Sequence, residues 1–589
     1  MVTESKIQMD ETTKKNIDSW LLGDYDDKTK EEIRKLQIEN PNELIDSFYS
    51  SLSFGTGGLR GIMGVGCNRM NLYTVRAATQ GLANYINKQT TSPLSPSVII
   101  GYDSRRQSSL FATESAKVLA ANDIKVYLFE DLRPTPLVSF GCRYKKCTAA
   151  IVITASHNPP EYNGYKVYWS DGAQVLSPHD KGIIDEVNKV QDLSQVKTTE
   201  TDHQLIEKIG EELDKAYLQA TNSLQHYPEE NSSKGKDLRI VFSNLHGTGI
   251  TLVPKLLKSW GFQNIAFVEE QKEPDGDFPT VTQPNPEETE AMRLGIEKLL
   301  EEQGDLLLGT DPDADRMGAI ILNKGKPFIF NGNQIACICL YHLCEALTKK
   351  KKMPKNAAFI TTIVSTDLFG KIVESYGKNY FEVLTGFKYI AGLIRDWENS
   401  SEDYEYLFGA EESYGYLLGS YARDKDAATA CALISEAALH AKLQGKNLLD
   451  LLYEIYEKYG VYHEELHSIK FSESKQGREK MESIMKSLRE FPPSEFNELP
   501  ISIMEDYLSS SRTYLKTKQK EPLSLPKSNV LLFKLEDGSK IAIRPSGTEP
   551  KVKVYVGVVS QSFSTVEEGI ASSKKHAESL MKSVSDKLR

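Results

Sequence analysis

The sequence predicts an α/β protein: three tandem mixed α/β units followed by a C-terminal α+β unit. Three observations carry this. Short apolar, strand-like runs alternate with helix-like stretches from Val98 to Lys442, the pattern of βαβ units with a mostly buried sheet. Charged segments such as Glu229–Lys236 and Lys349–Lys352 punctuate the alternation. Near the C-terminus it gives way to a hairpin pattern, Val530–Leu535 and Lys540–Ile543 around Asp537-Gly538.

Residues 1–45 form a helical, exposed lead-in, with Pro41 interrupting a charged amphipathic stretch at Lys30–Leu36. A first domain is expected over 46–226. It opens on a glycine-rich loop, Phe54–Gly61, and continues with strands Val98–Ile100, Lys125–Phe129 and Ala149–Ile153 and a helix over 108–121. The segment Glu229–Lys236 reads as a linker. A second domain, 237–330, has strands Leu238–Phe242, Ile265–Val268 and Leu306–Gly309 and helices within 250–260 and 287–302. A third, 331–465, has strands Ala358–Val364, Tyr380–Leu384 and Tyr406–Phe408 and helices near 387–396 and 427–442. The fourth, 466–589, adds strand Lys551–Val559 and an amphipathic helix over 564–588 to the hairpin.

At 589 residues the chain is too long for one core. The hydrophobic content of 40% and charged content of 26% are those of a globular protein. A net charge of −11 gives no reason to expect nucleic acid or an acidic membrane as partner, so an anionic substrate must be drawn in by a local cationic cleft. The seven cysteines are scattered, which fits free thiols in a reducing compartment. Cys337, Cys339 and Cys344 lie in an apolar segment and read as small buried hydrophobes rather than zinc ligands. The N-terminal residues carry no apolar signal core and no apolar run is long enough to span a membrane, so the cytoplasm is the expected location.

Three motifs carry the chemistry. Thr154-Ala155-Ser156-His157-Asn158-Pro159 follows the apolar run Ala149–Ile153, which presents Ser156 at a sheet edge. A serine hydroxyl there could attack phosphorus or carry a phosphoryl group. Lys166, ten residues on, could relay protons if neighbouring cations lower its pKa. No Gly-x-Ser-x-Gly elbow surrounds Ser156, which argues against acyl transfer. Asp311, Asp313 and Asp315 alternate, and in extended backbone they would face one way, as three oxygen ligands for a hard cation such as Mg²⁺. Arg316 follows them and could meet developing phosphate charge. Arg544-Pro545-Ser546-Gly547-Thr548 offers a guanidinium, two hydroxyls and a glycine-freed backbone, the parts of a phosphate clamp.

Weaker signals accompany these. In Gly409–Gly415, Glu411 and Ser413 would project the same way from an extended loop and could match adjacent sugar hydroxyls. Arg423-Asp424-Lys425 adds cations. His463-Glu464-Glu465-Leu466-His467 matches a zinc-protease pattern. Its flanks alternate like a strand, however, where positions four apart lie ~13 Å from one another.

Taken in order, these motifs closely resemble the α-D-phosphohexomutase superfamily over nearly the whole chain. Thr154–Pro159 looks like its phosphoserine loop, Asp311–Arg316 its metal loop, Gly409–Gly415 its sugar loop and Arg544–Thr548 its phosphate loop. Phe54–Gly61, Ser243–Gly247 and Thr385–Ile390 look like the type-2 phosphoglucomutase and phosphopentomutase branch. The resemblance implies three α/β domains around a central cleft and a mobile fourth domain. It implies that Ser156 is phosphorylated, that Arg60 and Lys166 flank it, and that His157 and Arg316 join them at the reacting centre. Asp311, Asp313 and Asp315 would hold Mg²⁺ together with Ser156. Glu411, Ser413, Lys425 and Lys388 would contact the sugar, and Arg544, Ser546, Gly547 and Thr548 its distal phosphate. Relatives with a Gly-Glu-x-Ser-Gly-His sugar loop carry a histidine where this chain has Gly415, which leaves His157, His246 and Lys388 as candidates for the second acid/base.

The implied activity is interconversion of glucose 1-phosphate and glucose 6-phosphate, primed by a sugar 1,6-bisphosphate. A phosphopentomutase acting on ribose or deoxyribose phosphates, with a pentose bisphosphate primer, and a glucose 1,6-bisphosphate synthase are the alternatives. A non-catalytic sugar-phosphate binder and a phosphatase are further rivals.

Overall fold

The computed structural model describes residues 9–55, 57–90, 95–472, 475–546 and 551–588. The chain falls into two compact units. One comprises Met1–Phe330, Ala391–Glu402 and Ser413–His440, the other Asn331–Ile390, Asp403–Glu412 and Ala441–Arg589.

Among its described residues the first unit carries a six-stranded and a five-stranded sheet. The six-stranded sheet runs Gly58–Ile62, Tyr162–Trp169, Ala149–Ile153, Ser97–Tyr102, Lys125–Phe129, Ile206–Ile209. Its last four strands are parallel, and the first two pair antiparallel at one edge. Ala149–Ile153 is buried along its whole length, so its apolar run needs no polar alternation. Helices Leu72–Gln89 and Ser108–Ala121 pack here, and Val75, Leu82, Phe111 and Leu119 share a core with Val98, Ile100 and Ile151. The five-stranded sheet runs Lys326–Ile329, Met317–Asn323, Leu306–Thr310, Ile240–Ser243, Ile265–Phe267. Both strands that precede the key motifs, Ala149–Ile153 and Leu306–Thr310, therefore lie inside their sheets and hold the loops after them at carboxyl ends, where open α/β sheets place ligands.

The second unit holds a parallel sheet in which Ala357–Thr362 lies between Asn379–Val383 and Glu405–Glu411. Its C-terminal part is an antiparallel sheet in the order Val461–Lys470, Lys551–Ser560, Lys540–Pro545, Leu531–Leu535, Leu499–Asp506, Ser511–Tyr514, Lys520–Pro522. Met485, Leu488, Leu580 and Val584 from helices Lys475–Glu490 and Val566–Lys587 pack on this sheet. An apolar cluster of Ile363, Val364 and Leu384 with Tyr507, Leu532 and Tyr555 ties the two parts together.

Several expectations are corrected. The N-terminal segment is helical, but it buries a core of its own. Ile17, Trp20, Ile33, Leu44 and Phe48 close over Val65 and Tyr73, with Trp20 stacked on Tyr25 at 4.2 Å. Helix Asp27–Glu39, which holds the charged stretch, does stop just before Pro41, and Pro41 opens the next helix, Pro41–Phe48, at a position where its missing N–H costs nothing. The expected linker at 229–236 begins with helix Pro228–Lys234. It is pinned by fully buried Glu436, whose carboxylate accepts from the backbone N–H groups of His226 and Tyr227 and from Asn231 Nδ2 at 2.7 Å. His463–His467 lies in strand Val461–Lys470, as the alternating flanks predict. Cys337, Cys339 and Cys344 are buried in helix Gly332–Lys349, and burial raises each thiol.

Candidate active site

The polypeptide leaves strand Ala149–Ile153 through Thr154, whose Oγ1 accepts from the Ser156 amide at 2.8 Å. Ser156 is buried and left-handed, with φ 51°. A non-glycine residue in that conformation stores strain and is held only where its surroundings demand it. Here it turns the side chain toward the aspartate loop: Ser156 Oγ donates to Asp311 Oδ2 at 2.6 Å and lies 3.2 Å from His157 Nδ1.

The aspartate loop follows Leu306–Thr310 but is not the extended segment expected. Residues 312–314 form a turn, with Ala314 at φ 50°. Asp311 Oδ1 caps that turn, accepting from the amides of Asp315 and Arg316 at 3.1 and 3.0 Å. The three carboxylates converge because the backbone folds back on itself. The loop is fixed from outside by Thr135, whose amide donates to Asp313 O at 2.9 Å and whose hydroxyl donates to Asp313 Oδ2 at 2.8 Å. Thr248 likewise donates its amide and hydroxyl to Pro312 O. The close approach requires Gly247, where a Cβ would lie 2.3 Å from Pro312 Cα.

One ligand oxygen from each of Asp311, Asp313 and Asp315 lies within 4.8 Å of the others, and all three residues are buried. Asp313 Oδ1 and Asp315 Oδ1 have no hydrogen-bond partner. Burial, with Asp313 and Asp315 adding repulsion, pushes the Asp311 carboxyl well above its usual range. Buried, mutually repelling carboxylates with uncommitted oxygens fit a hard divalent cation.

Cations ring the cluster. Lys166, on strand Tyr162–Trp169, places Nζ 2.7 Å from Asp313 Oδ2 and 3.4 Å from Asp315 Oδ2. Burial alone would lower its pKa, but the two carboxylates outweigh burial and raise it, contrary to the lowered value the sequence suggested. For Asp313 burial works upward, yet Lys166 and Thr135 bring the net shift below the ordinary range. Arg60 stands on strand Gly58–Ile62 rather than in a loop, and Nη1 donates to Asn158 Oδ1 at 3.0 Å. Arg316 Nη1 donates to Ser413 O at 3.1 Å and to Glu287 Oε1 at 3.3 Å. Burial, reinforced by Arg316 and Arg60, holds the His157 imidazole well below its ordinary pKa, so it is neutral at pH 7.

Of Arg423, Asp424 and Lys425, only the lysine reaches the cluster. Arg423 is buried and paired with Glu398. Lys425 Nζ lies 3.0 Å from Asp315 Oδ2 and 3.1 Å from Asp424 Oδ1. Its stem crosses Gly415, where a Cβ would sit 2.1 Å from Lys425 Cδ. The glycine in place of histidine thus makes room for a lysine. His246, a candidate acid/base, is instead buried with ring nitrogens 2.9 Å from Thr280 Oγ1 and 3.4 Å from Glu273 O.

The structure therefore brings together Ser156, His157, Arg60, Lys166, Arg316, the three aspartates, Ser413 and Lys425. The other expected groups belong to the second unit. Glu411 ends strand Glu405–Glu411 and is buried, its Oε1 accepting from the Gly386 amide at 2.9 Å. A turn at 412–414, with Tyr414 at φ 64°, replaces the extended backbone expected there. Lys388 Nζ lies 5.4 Å from the Tyr389 ring centre. Arg544 is in strand Lys540–Pro545, and the Ser546 amide donates to Lys551 O at 2.8 Å. Gly547 and Thr548 lie outside the described residues. Sequence reasoning missed Thr135 and Thr248; Thr135 is far in sequence from the loop it holds, with no local pattern to mark it, and Thr248 lies just past the segment Ser243–Gly247.

Four family descriptions match in order. Three are phosphoglucomutase/phosphomannomutase alpha/beta/alpha domains I, II and III, at residues 51–194, 215–324 and 331–459, and the fourth is the C-terminal domain at 508–563. A phosphoglucomutase of Staphylococcus epidermidis RP62A is 37% identical over 536 residues, 90% of this chain and 95% of that protein. One from Staphylococcus aureus MSSA476 is 38% identical over 531 residues, 90% of this chain and 93% of that protein. Among solved structures, a phosphoglucomutase/phosphomannomutase family protein of Burkholderia thailandensis superposes with TM-score 0.65 at 16% identity, covering 91% of this chain and 98% of that one. Parafusin of Paramecium gives TM-score 0.63 at 18% identity, covering 90% and 95%. These two likenesses concern the fold.

Proposed function

The chain belongs to the phosphoglucomutase/phosphomannomutase family within the α-D-phosphohexomutase superfamily, and from that premise we propose that it is a mutase interconverting glucose 1-phosphate and glucose 6-phosphate through phosphorylated Ser156 and a bisphosphate. The observation that carries this is the 2.6 Å contact between Ser156 Oγ and Asp311 within a buried trio of carboxylates.

Asp311, Asp313 and Asp315, with an oxygen of Ser156, would hold Mg²⁺, which supplies positive charge opposite the oxygens of a transferring phosphoryl group. The chain's own cations do the same from other sides: Arg60, Arg316, Lys166 and Lys425 are fixed before substrate arrives, so little reorganisation is needed as charge develops. In the first half-reaction the phosphorus–oxygen bond to Ser156 breaks and one to the sugar's free hydroxyl forms. The hydroxyl proton leaves to a neighbouring base. In the second half, after the bisphosphate turns over, Ser156 Oγ attacks its other phosphate. The serine proton leaves to a neighbouring base, and the released sugar oxygen takes up a proton. Neutral His157, 3.2 Å from Oγ, and protonated Lys166 flank these transfers.

We assign the sugar hydroxyls to Glu411 and Ser413, with Lys388 and Lys425 as cationic partners. The non-reacting phosphate falls to Arg544 and Ser546, with Gly547 and Thr548. A sugar 1,6-bisphosphate would prime Ser156. Among the described residues no helix is long and apolar enough to cross a membrane. Seven free cysteines, six of them buried, suit a reducing compartment, and we place the enzyme in the cytoplasm. The test is a side-by-side assay on glucose 1-phosphate and ribose 1-phosphate with Mg²⁺ and a trace of the matching bisphosphate. Faster turnover of the hexose phosphate supports the reading; preference for the pentose phosphate, or net phosphate release exceeding isomerisation, overturns it.

A further inference from the structure

Something must hold Ser156 in its left-handed conformation, and its own side chain is committed to Asp311 and His157. The buried guanidinium of Arg105 lies behind the loop. Its Nη2 donates to Ser156 O at 2.6 Å and also to Asn158 O; its Nη1 donates to Pro159 O at 2.8 Å and to Tyr162 O at 3.0 Å. One planar fork thus gathers four carbonyl oxygens from residues 156–162, which a lysine, with a single nitrogen, cannot reproduce.

The arginine is itself located by its surroundings. Its Nε lies 3.3 Å from Asp103 Oδ2, both side chains being fully buried, and its guanidinium carbon lies 4.9 Å from the Phe278 ring centre. Asp103 Oδ1 accepts from Ser108 Oγ at 2.7 Å and from the Arg105 amide at 3.0 Å. The Asp103 amide donates to Ile153 O, where the strand ends and the serine loop begins. The Asp103–Arg105 pair therefore grips the loop at both ends, Ile153 and Tyr162. It also reaches a second group, because Asn158, whose carbonyl Arg105 holds, accepts from Arg60 through its side chain.

We propose that Arg105 is the positioning residue of the phosphoryl carrier: acting through four main-chain carbonyls and Asp103, it fixes Ser156 toward Asp311 and Asn158 toward Arg60, without touching substrate. This rests on the reading of Ser156 as that carrier. The test uses the full chain with Arg105→Lys, which keeps the buried charge opposite Asp103, and Arg105→Ala with and without added guanidinium. For Arg105→Lys the expected result is a kcat lowered by about 100-fold, the order of loss from misplacing a reacting group by an ångström. KM should change little, the folded fraction should be retained, and faster amide exchange should be confined to residues 155–162. Guanidinium should restore part of the lost kcat to Arg105→Ala. Wild-type kcat in Arg105→Lys overturns the proposal. So does a kcat loss that only tracks the folded fraction, with exchange raised throughout the first unit. A wild-type enzyme that neither isomerises glucose 1-phosphate nor accepts phosphate on Ser156 sinks the functional reading instead, while the exchange measurement still decides what Arg105 holds.

Discussion

Lys425 runs through the space that a side chain on residue 415 would occupy: a Cβ at Gly415 would lie 2.1 Å from Lys425 Cδ, and beyond it Nζ pairs with Asp315 at 3.0 Å. The two positions are one structural unit, a missing side chain and the lysine that fills its place.

Gly415→Ala should therefore act on the lysine. Overlap with the Lys425 stem displaces Nζ from Asp315, and kcat should fall by about 10–100-fold with the fold intact. Lys425→Met should fall at least as far, and the double variant should be no worse than Lys425→Met. Additive losses, measured as a double-mutant cycle on kcat/KM, would contradict the coupling.

Chelation tests the carboxylate trio. Stripping divalent cations should abolish turnover, and Mg²⁺ should restore it. Mg²⁺ should also raise the unfolding free energy, by about 2.7 kcal/mol at a hundredfold excess over Kd. Asp313→Asn should lose most of that increment in thermal melts. A variant stabilised as much as wild type would remove Asp313 from the ligand set.

Glu464 gives the protein a pH signature apart from the proposed catalytic groups. Its carboxyl is pushed up to about 7, chiefly by burial, with Asp367 adding to the rise and Thr366, Lys540 and Asn333 opposing it. The folded state therefore binds this proton more tightly than the unfolded chain. Its contribution to stability is largest at low pH, declines as pH rises from about 4.5 toward 7, and is then constant. Partial solvent contact limits the effect to about 1 kcal/mol. Urea unfolding should show Glu464→Gln gaining on wild type between pH 5 and pH 8. A wild type that gains on the variant over that range would reverse the sign.

Glu436→Ala should destabilise by about 3 kcal/mol, because it leaves the amides of His226 and Tyr227 and the Asn231 side chain without their buried acceptor. Equilibrium unfolding checks this. A loss below about 0.5 kcal/mol would return the 226–234 segment to the status of a solvated linker.

What the sequence revealed and what it hid divide along physical lines. Strands Lys125–Phe129 and Ala149–Ile153 and helix Ser108–Ala121 fall where their periodicity places them, because each is decided by local pattern and burial. Ser156 and the three aspartates stand out because the nucleophile and ligand chemistry proposed for them restricts residue type. How the aspartates converge was misread: alternation suggested a strand, whereas a turn capped by Asp311 does the work. Thr248 and Arg105 hold their loops through main-chain carbonyls, and such contacts leave no mark on the partner's residue type. Lys425 was legible as a cation, but its relation to Gly415 needed coordinates.

The most direct measurement is intact-mass analysis with peptide mapping after incubation with glucose 1,6-bisphosphate and Mg²⁺, run alongside turnover for wild type and Ser156→Ala. The account predicts one phosphoryl group per wild-type chain, on Ser156, none on the variant, and a fall in kcat of about 10⁴ or more in the variant. Phosphate on another residue, or a Ser156→Ala enzyme that turns over at the wild-type rate, would contradict it.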